Sequence, residues 1–420
     1  MIKNLYVLVC TCMFLCPALN AQENLKLMFY NVLNYPLEDA VPNRLDDLQL
    51  VLDDYRPDLF MVCELNNENG ANSILNVMQF LNPNYERAVF ELNTSDDNLS
   101  DQNDLQQLIF YDSSKFSLES QTIVTTIFRD FNHYQLTLNT VEQATNPISL
   151  DVIVCHLKAS SGPDNEADRF QMVQDLTAYL DPFPVNSNIV LAGDFNMYTS
   201  QEAGFQELIN TNNTIIFEDP ADRIGDWHTN PDFIDVMTQS TRTQTGFGGS
   251  TGGFDDRFDF IMTSEFMANN TQLSYVSNSY DVYGNNENQD CFNRSINSND
   301  CAGSDFSFTI RDALHNFSDH LPVTLELQTN QVLSVNAFQT VKQIAIIGSN
   351  IVDDNLNISI LNRLENGTSL MVFNNLGQLI KTINVNNALV SIDTSNLNEG
   401  IYYLTSSEFQ FQPLKFVVAH

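Results

Sequence analysis

Apolar runs and amphipathic stretches alternate along the first three quarters of the chain. Residues 25–32 (LKLMFYNV) and 58–64 (DLFMVCE) are short and apolar, which predicts two buried strands. Between them, residues 44–55 place leucine and valine three or four positions apart, and Pro57 follows. This spacing predicts an amphipathic helix that ends before the proline.

The same alternation continues to residue 327. Further strands are predicted at 105–112, 148–157, 188–195, 256–263 and 321–327, and helices at 168–180 and 201–210. Near-continuous apolar strands that alternate with helices are typical of sheets whose faces are covered. The predicted fold class of this region is therefore α/β.

After Thr329 the helical periodicity stops. From residue 348 to the end, short apolar strands alternate with turns such as 375–377 (NLG) and 398–400 (NEG). This pattern predicts a small all-β sandwich over residues 348–420, joined by a linker at 331–347. The preceding domain is then expected to span residues 22–330.

The N-terminus has the three parts of an export signal. Lys3 precedes an apolar core from Leu5 to Leu15, and Ala21 provides a small residue for cleavage. The apolar core is too short to span a membrane as a mature helix. We therefore expect residues 1–21 to be a signal peptide, and the mature protein to be exported without a stable membrane span.

Four of the seven cysteines remain after the predicted signal peptide. Cys63 and Cys155 lie in apolar runs and are expected to be buried thiols. Cys291 and Cys301 lie in a polar loop, where an oxidising compartment permits a disulfide. We predict that bridge, and two unpaired loop thiols are the alternative.

The composition is typical of a folded but strongly acidic protein. Hydrophobic residues make up 43% of the chain, which excludes a disordered chain. The 53 Asp and Glu residues against 18 Lys and Arg give a net charge of −35, and no polybasic patch is present to bind a polyanion. Either the substrate is not a polyanion, or a bound cation supplies positive charge at the reacting group.

Side chains suited to chemistry stand near the ends of the predicted strands. In chain order they are Asn31, Glu64, His156, Asp194, Asn196, Asp259, Asp319 and His320. Strand ends in α/β sheets converge on one crevice, although a single Asn or Asp after a strand is commonly a turn residue. Asp259 is flanked by Phe258 and Phe260, so its carboxylate needs a buried partner, and His320 is the natural one.

These residue types match the needs of phosphodiester hydrolysis. The reaction requires a hard cation on carboxylate oxygens, a positioned water and donors to the phosphate oxygens. Glu64 and Asp319, with the side-chain carbonyl of Asn31, are suitable ligands for Mg²⁺, with Mn²⁺ or Ca²⁺ as alternatives. His156 and His320 can exchange protons near neutral pH.

Asn196 can donate to a phosphate oxygen and hold Asp194 in position. A bound metal ion would also resolve the charge problem, because it neutralises the phosphate where the protein cannot.

Six motifs in this order resemble the endonuclease/exonuclease/phosphatase superfamily, which has the DNase I-like fold. They are YNV (30–32), MVCEL (61–65), VCHLKA (154–159), AGDFN (192–196), RFDFI (257–261) and SDHLPV (318–323). The resemblance implies a four-layer α/β (α+β) sandwich with a divalent metal at one edge. It also implies Glu64 as the principal metal ligand, an Asp259–His320 dyad, and Asp194 and Asn196 beside the phosphate.

The C-terminal segment resembles a second family. Residues 348–420, with FNNLGQLIKT and VSIDTSNLNEGIYYL, are similar to the sorting domain of the type IX secretion system of Bacteroidetes. The resemblance implies that the secretion machinery is a partner and that the protein is secreted or displayed at the cell surface.

The HLKA motif, which begins at His156, resembles the secreted DNase and sphingomyelinase branches. In the DNases an acid before the central strand pairs with this histidine. Here the matching segment is NDLQQLIFY (103–111), where only Asp104 is available. We expect a monomeric, exported, metal-dependent phosphodiesterase, first of all an endonuclease on nucleic acid. The alternatives are a sphingomyelinase or phospholipase C-type enzyme and an inactive binding module.

One long segment, residues 219–259, is open to two interpretations. It contains Trp227 and Arg242, which could form a substrate loop with Arg242 on a phosphate. The alternative is a Gly-rich surface connector.

Overall fold

Two compact units make up the chain, and they divide between Ser334 and Val335. The computed structural model describes residues 23–37, 41, 43–92, 105–242, 248–250, 252–334, 344–347, 349–360, 368–385, 389–405 and 413–419. The predicted signal peptide and residues 335–343 of the predicted linker lie outside the described residues. None of the helices in the described ranges has the length and hydrophobicity needed to cross a membrane.

The first unit is built from thirteen described strands. Their bounds are β1 (Glu23–Tyr35), β2 (Leu59–Leu65), β3 (Tyr85–Arg87), β4 (Gln106–Asp112), β5 (Phe116–Val124), β6 (Phe131–Leu138), β7 (Ser149–His156), β8 (Ile189–Asp194), β9 (Phe217–Glu218), β10 (Asp259–Ser264), β11 (Leu273–Tyr275), β12 (Asp281–Val282) and β13 (Val323–Thr329). One sheet has the order β11-β13-β1-β2-β4-β3, with β12 also paired to β13. The other has the order β5-β6-β7-β8-β10-β9.

Helices cover the outer faces of both sheets. Their bounds are α1 (Arg44–Tyr55), α2 (Glu68–Leu81), α3 (Pro163–Leu180), α4 (Ala203–Leu208), α5 (Phe266–Asn269) and α6 (Phe308–Phe317). Alternation along β7 builds the layers: Val152 and Val154 face the core between the sheets, whereas Ile153 and Cys155 pack in the core beneath α3. The predicted four-layer α/β sandwich is confirmed.

Two pairs of parallel strands define the edge of the sandwich at which the candidate site residues lie. In the described part of the first unit, β1 runs parallel to β2 through α1, and β7 runs parallel to β8 through α3. The carboxyl ends of both pairs therefore lie at one edge of the two-sheet sandwich. Two antiparallel strands begin at that edge: β10 starts with Asp259 opposite Asp194, and β13 follows the SDH motif.

The sequence pattern located the central strands and the helices α1, α3 and α4, but it missed α2, α5 and α6. Helix α1 has the predicted bounds, 44–55. Helix α2 contains Gly70 and three asparagines, which are weak helix formers, and it begins at Asn67, whose side chain accepts a hydrogen bond from the amide of Gly70. Helix α6 is ten residues long and is capped in the same way by Ser307.

A disulfide joins Cys291 to Cys301, the two loop cysteines for which the sequence left a bridge and free thiols open. Both half-cystines are buried, and each lies in a short 3₁₀ turn, Gln289–Cys291 and Asn299–Cys301. Cys63 and Cys155 are free and buried.

The second unit consists of strands alone in its described ranges. They are β14 (Ile344–Ile346), β15 (Ile351–Val352), β16 (Asn355–Ile360), β17 (Thr368–Asn374), β18 (Leu379–Val385), β19 (Leu389–Asp393), β20 (Gly400–Thr405) and β21 (Leu414–Val418). They form a sheet in the order β14-β16-β19 and a sheet in the order β15-β21-β20-β17-β18. Their own core contains Leu356, Leu370, Leu404 and Phe416, which confirms the small all-β domain.

Candidate active site

Polar side chains from both sheets meet where the parallel strands end. Glu64 is the penultimate residue of β2, and His156 and Asp194 are the last residues of β7 and β8. Asn31 lies on β1, beside β2. The convergence that the sequence predicted for these four positions is therefore present in the fold.

Two of the site residues have left-handed backbone conformations. Glu64 has φ 56° and Asn196 has φ 52°. This region is rarely occupied by residues other than Gly, Asn and Asp, and here it turns the chain sharply at the ends of β2 and β8. The sharp turns aim the side chains into the shared edge instead of along the strand.

One oxygen of Asp194 is the centre of the cluster. Its Oδ2 atom accepts a hydrogen bond from Nδ2 of Asn31 at 3.1 Å. The Nε2 atoms of His156 and His320 lie 3.6 and 3.8 Å from the same oxygen. Burial raises the pKa of Asp194, and the positive charge of His320 opposes that shift.

The carboxylate of Glu64 belongs to the same cluster, and among the described residues no Lys or Arg lies within ion-pair distance of it. Its Oε1 atom accepts from Nδ2 of Asn31 at 2.9 Å and lies 3.8 Å from Nε2 of His156. Burial and the charge of Asp319 raise its pKa. Such an arrangement favours a bound cation, which would offset the concentrated negative charge.

Ligand atoms within the cluster are spaced for metal binding. Atoms of Glu64, His156 and Asp194 lie within 4.8 Å of one another, and so do atoms of Asp194, Asp259 and His320. Within the described residues, Oδ1 of Asp259 and Oδ1 of Asp319 are buried without a hydrogen-bond partner. Unsatisfied buried carboxylate oxygens fit a hard divalent ion, so the residues present are suited to one.

The side chain of Asn31 is fully used in hydrogen bonds within the site. Its side-chain oxygen, expected to be a metal ligand, accepts a hydrogen bond from the amide of Leu33 at 3.0 Å. Its side-chain nitrogen instead faces Glu64 and Asp194. Asn31 therefore holds the two acids in position in this structure, and its role as a metal ligand stays a prediction.

Asp259 and His320 form the predicted pair. Oδ2 of Asp259 lies 2.7 Å from Nδ1 of His320, and the carboxylate is fully buried. Burial alone would lower the pKa of His320, but the charge and hydrogen bond of Asp259, with Asp194 and Asp319, raise it well above its ordinary value. The surroundings of the His320 ring therefore favour its imidazolium form.

The surroundings of His156 favour its neutral form. Burial, together with the charges of Arg129 and His320, lowers the pKa of His156 well below its ordinary value. Its Nδ1 atom is buried without a hydrogen-bond partner among the described residues. Asp104, the acid that the sequence offered as a partner, lies outside the described residues.

Asp319 borders the site at the start of the SDHLPV motif. One of its oxygens, Oδ1, lies 4.0 Å from Nε2 of His320, and the other accepts from the amide of Ser250. A Cβ atom at Gly249, which has φ 71°, would lie 2.8 Å from Oδ2 of Asp319, so only glycine fits there. The Gly-rich segment thus reaches the site through its backbone.

Asn196 contacts Asp194 through its main chain. Its amide donates to Oδ1 of Asp194 at 3.0 Å, and its side-chain nitrogen donates to the carbonyl of Leu157 at 3.3 Å. The predicted support of Asp194 is thus provided by the backbone of the GDFN turn, while the side chain links that turn to the residue after His156.

Trp227 and Arg242 are not surface residues, which corrects their assignment to a substrate loop. Trp227 is 0% exposed, and its indole nitrogen donates to the carbonyl of Met197 at 2.9 Å. Arg242 is 1% exposed and donates to the carbonyl of Asn316. Both side chains are buried and make hydrogen bonds inside the first unit, so neither is exposed for contact with a substrate.

Sequence reasoning missed Arg129, the cation that faces the cluster. Its charge acts on both Glu64 and His156, and its Nη1 atom donates to the carbonyl of Leu157 at 3.0 Å. It lies in the turn between β5 and β6, which carries no recognisable motif. The chain has only 18 Lys and Arg residues, and this scarcity of cations was the one feature of the sequence that could have drawn attention to Arg129.

Two families match the chain. Residues 28–320 match the Endonuclease/Exonuclease/phosphatase family, and residues 350–418 match the Secretion system C-terminal sorting domain. The second match indicates secretion or export to the cell surface through the type IX machinery. No curated protein matches the chain.

Solved structures with similar folds include three from different sources. An endonuclease/exonuclease/phosphatase from Bacteroides vulgatus is 14% identical, with a TM-score of 0.45, over 73% of this chain and 99% of that one. A mannosyl-6-phosphatase from Bacteroides thetaiotaomicron is 15% identical, with a TM-score of 0.43, over 72% and 99%. The catalytic domain of human Nocturnin is 14% identical, with a TM-score of 0.42, over 72% and 94%.

Proposed function

Because the chain belongs to the endonuclease/exonuclease/phosphatase family, whose members hydrolyse phosphate esters, we propose that it is an exported, metal-dependent phosphodiesterase that cleaves nucleic acid outside the cell. The observation that carries the proposal is the cluster around Oδ2 of Asp194, where three acids and two histidines meet. A site built only for structure would not concentrate unsatisfied acids at one edge.

The acids of the cluster would hold the metal ion. Glu64 and Asp319 are the proposed ligands, and Mg²⁺ is the proposed ion, with Mn²⁺ or Ca²⁺ as alternatives. Bound there, a divalent ion would offset the charge of the phosphate oxygens and polarise the ester. Asn31 keeps Glu64 in place, because its side-chain amide donates to both Glu64 and Asp194.

The two histidines have separate roles because their charge states differ. Neutral His156 can accept the proton of the attacking water through Nε2. His320, held as an imidazolium by Asp259, can stabilise charge on the phosphoryl group and donate a proton to the leaving oxygen. Arg129 adds a second fixed positive charge on the His156 side.

We also propose how the chain is processed during export and which segment serves each step. Residues 1–21 would be removed as a signal peptide, and residues 22–330 would act as a monomeric catalytic domain. Residues 348–420 would serve as the sorting domain, joined through 331–347.

Parallel hydrolysis assays test the function. DNA, RNA, sphingomyelin and bis-p-nitrophenyl phosphate would each be incubated with the protein in Mg²⁺, Mn²⁺, Ca²⁺ or EDTA. We expect cleavage of nucleic acid and of bis-p-nitrophenyl phosphate that needs a divalent ion. Sphingomyelin as the preferred substrate would favour the alternative enzyme, and full activity in EDTA would contradict the metal assignment.

A matched pair of variants ties the activity to this site. Glu64→Gln removes the charge of the proposed ligand at nearly constant shape, and we expect it to abolish hydrolysis. Glu119→Gln makes the same chemical change at an exposed position on β5 and should leave the rate unchanged.

A further inference from the structure

Beside the cluster, the rings of Tyr198 and His228 form a small surface that the proposed chemistry does not use. We name these two residues the ring ledge. The rings meet edge to face, with centroids 5.0 Å apart and an interplanar angle of 86°. The amide of His228 also donates to the carbonyl of Tyr198 at 3.2 Å, so the two residues are fixed to one another.

His228 presents a ring of fixed orientation to solvent. Its side chain is 49% exposed, yet its Nδ1 atom is bonded to Oδ1 of Asp256 at 2.7 Å. An exposed histidine without such a partner would rotate freely and would lose that freedom on binding a ligand. The bond to Asp256 sets the plane of the imidazole in advance.

Tyr198 is held from several sides while its polar end stays available. Its amide donates to Oε1 of Glu202 at 2.8 Å, and the guanidinium carbon of Arg169 lies 5.9 Å from its ring centroid. Its hydroxyl makes no hydrogen bond to any described residue, although the residue is only half-buried. The free hydroxyl can therefore bind a polar group of a ligand.

The ring ledge adjoins the phosphate site. Tyr198 is two residues beyond Asn196 in the chain, and the charge of Asp194 acts on its hydroxyl. The ring of Phe258 bridges the two regions, because its centroid lies 5.2 Å from that of Tyr198 and 6.5 Å from that of His320. A group attached to a phosphate at the cluster would thus lie beside the ledge.

The charges and rings around the ring ledge indicate which kind of group, attached to the phosphate as an ester, would bind there. His228 is bonded to Asp256 and lies near the charge of Asp255, so a second phosphate would be repelled there and a neutral group is favoured. Rigid aromatic surfaces bind the flat face of a nucleobase, and such stacking tolerates any base. The free hydroxyl and the polar imidazole edge suit a heteroaromatic ring with polar substituents better than an acyl chain.

From these contacts we propose that Tyr198 and His228 bind the nucleoside next to the scissile phosphate, with the base on the imidazole and the tyrosine hydroxyl on the base or sugar. The inference rests on the proposed function and deepens it, because it makes a nucleoside the recognised part of the substrate.

Ligand binding to the full chain tests the ledge. Adenosine 5′-monophosphate and ribose 5-phosphate share the sugar phosphate and differ in the base, so their dissociation constants isolate base recognition. By isothermal calorimetry in Mg²⁺, we expect the mononucleotide to bind roughly 5- to 150-fold more tightly, the range expected for stacking of one base. Equal affinities would overturn the proposal and would leave the sugar phosphate as the recognised group.

Variants assign the preference to the ledge. His228→Ala should remove most of the preference for the mononucleotide without changing affinity for ribose 5-phosphate, whereas His228→Phe, which keeps a flat ring, should retain it. Phe80→Ala removes an aromatic side chain that is 73% exposed on α2, and it should have no effect. A preference that persists in His228→Ala would overturn the proposal.

Failure of the ledge and failure of the proposed function give different results. The proposed function fails when wild-type protein and Glu64→Gln hydrolyse bis-p-nitrophenyl phosphate equally. The ledge fails when base preference is absent or independent of His228, whatever the hydrolysis assay gives.

Discussion

Two histidines approach the same carboxylate oxygen, yet their environments shift their pKa values in opposite directions. His320 has a buried aspartate on its far nitrogen, whereas the far nitrogen of His156 has no hydrogen-bond partner in the described residues. The difference in the second partner, not the distance to Asp194, therefore sets the proton state of each ring. An acid–base pair with separated pKa values is what general catalysis near neutral pH requires.

We predict that His156→Ala and His320→Ala each lower the initial rate of DNA hydrolysis by roughly 10²- to 10⁴-fold, the usual effect of a positioned proton donor or acceptor. The double variant should lose less than the product of the two single losses, because groups that act together are not additive. Rates in both single variants equal to wild type would show that the histidines are structural.

Asp259→Asn provides the matching control for the charge of His320. It keeps the shape of the partner but removes its negative charge, so the pKa of His320 should fall and the rate with it. Thermal unfolding of each variant separates a loss of catalysis from a loss of folding.

At the scale of single residues, the sequence identified side chains that the fold brings together, but it could not show their orientations. Glu64, Asp194 and His320 stand out because polar residues at the ends of apolar strands are unusual. The sequence could not show which way the amide of Asn31 faces, because its hydrogen bonds come from residues 2, 33 and 163 positions away. Trp227 was misassigned because a tryptophan in a Gly-rich segment gives no sign of its burial.

Helix α3 connects the two loops that carry the proposed catalytic residues His156 and Asp194. Its Arg169 is 0% exposed, and Nη1 donates to the carbonyls of Lys158 and Ser160, which follow His156. Its Nε atom pairs with Glu202 at 2.8 Å, and Glu202 in turn accepts the amide of Tyr198 after the GDFN turn. One buried ion pair thus sets the spacing of the His156 loop and the Asp194 loop.

We predict that Arg169→Met lowers kcat/KM by about 10- to 100-fold, because small displacements of catalytic groups cost that much. It should also destabilise the fold, since Glu202 remains buried without its partner. The double variant Arg169→Met with Glu202→Gln should recover stability but not kcat/KM. Recovery of both would show that Arg169 has no positioning role, and urea unfolding with steady-state kinetics distinguishes these outcomes.

The packing of α1 against α6 contains a carboxylate that opposes folding when ionised. Burial, followed by the charges of Asp312 and Asp46, raises the pKa of Asp47 from 3.8 to about 6. The folded state therefore binds this proton more tightly than the unfolded chain does. The associated stability is present below pH 4 and is lost as the pH rises through 6.

We predict that Asp47→Asn raises the free energy of unfolding by about 1 kcal/mol at pH 7.5, after allowance for the half-exposed position of the side chain, and by much less at pH 4.5. Denaturant unfolding at the two pH values measures the difference. The exposed Glu119→Gln variant should show no such dependence, and an equal gain at both pH values would contradict the assignment to ionisation.

Elements with a single apolar stripe were predictable, and elements stabilised mainly by their neighbours were not. Helix α1 has leucine and valine at helical spacing, and the buried positions Leu48, Val51 and Leu52 fall on that stripe, so the sequence pattern and the tertiary packing agree. Strand β5 has mostly polar or half-exposed positions and lies at the edge of its sheet, where β6 alone pairs with it. Its extended conformation comes from that pairing and leaves no apolar run to detect.

At the scale of the whole molecule, each of the two units has its own hydrophobic core. The core of the second unit is drawn from residues 344–418, and the cores of the first unit from residues 25–333. Each core therefore lies on one side of the division between Ser334 and Val335. Loss of the second unit would not remove any side chain from the cores of the first.

We predict that the sorting domain is removed during export. Intact-mass spectrometry of protein purified from culture medium or the cell surface should give a C-terminus within 331–347. The cytoplasmic precursor serves as the control and should retain His420. A mature extracellular form that still ends at His420 would contradict this prediction.

The left-handed conformations of Glu64 and Asn196 have a consequence for laboratory evolution. Glutamate in this region of φ costs roughly 1 kcal/mol relative to glycine, so the strand end keeps a side chain that the backbone disfavours. A screen that rewards heat resistance alone would accept glycine at position 64 and discard the carboxylate. Libraries for a thermostable variant should therefore keep both positions fixed, or the first improved clones will be the inactive ones.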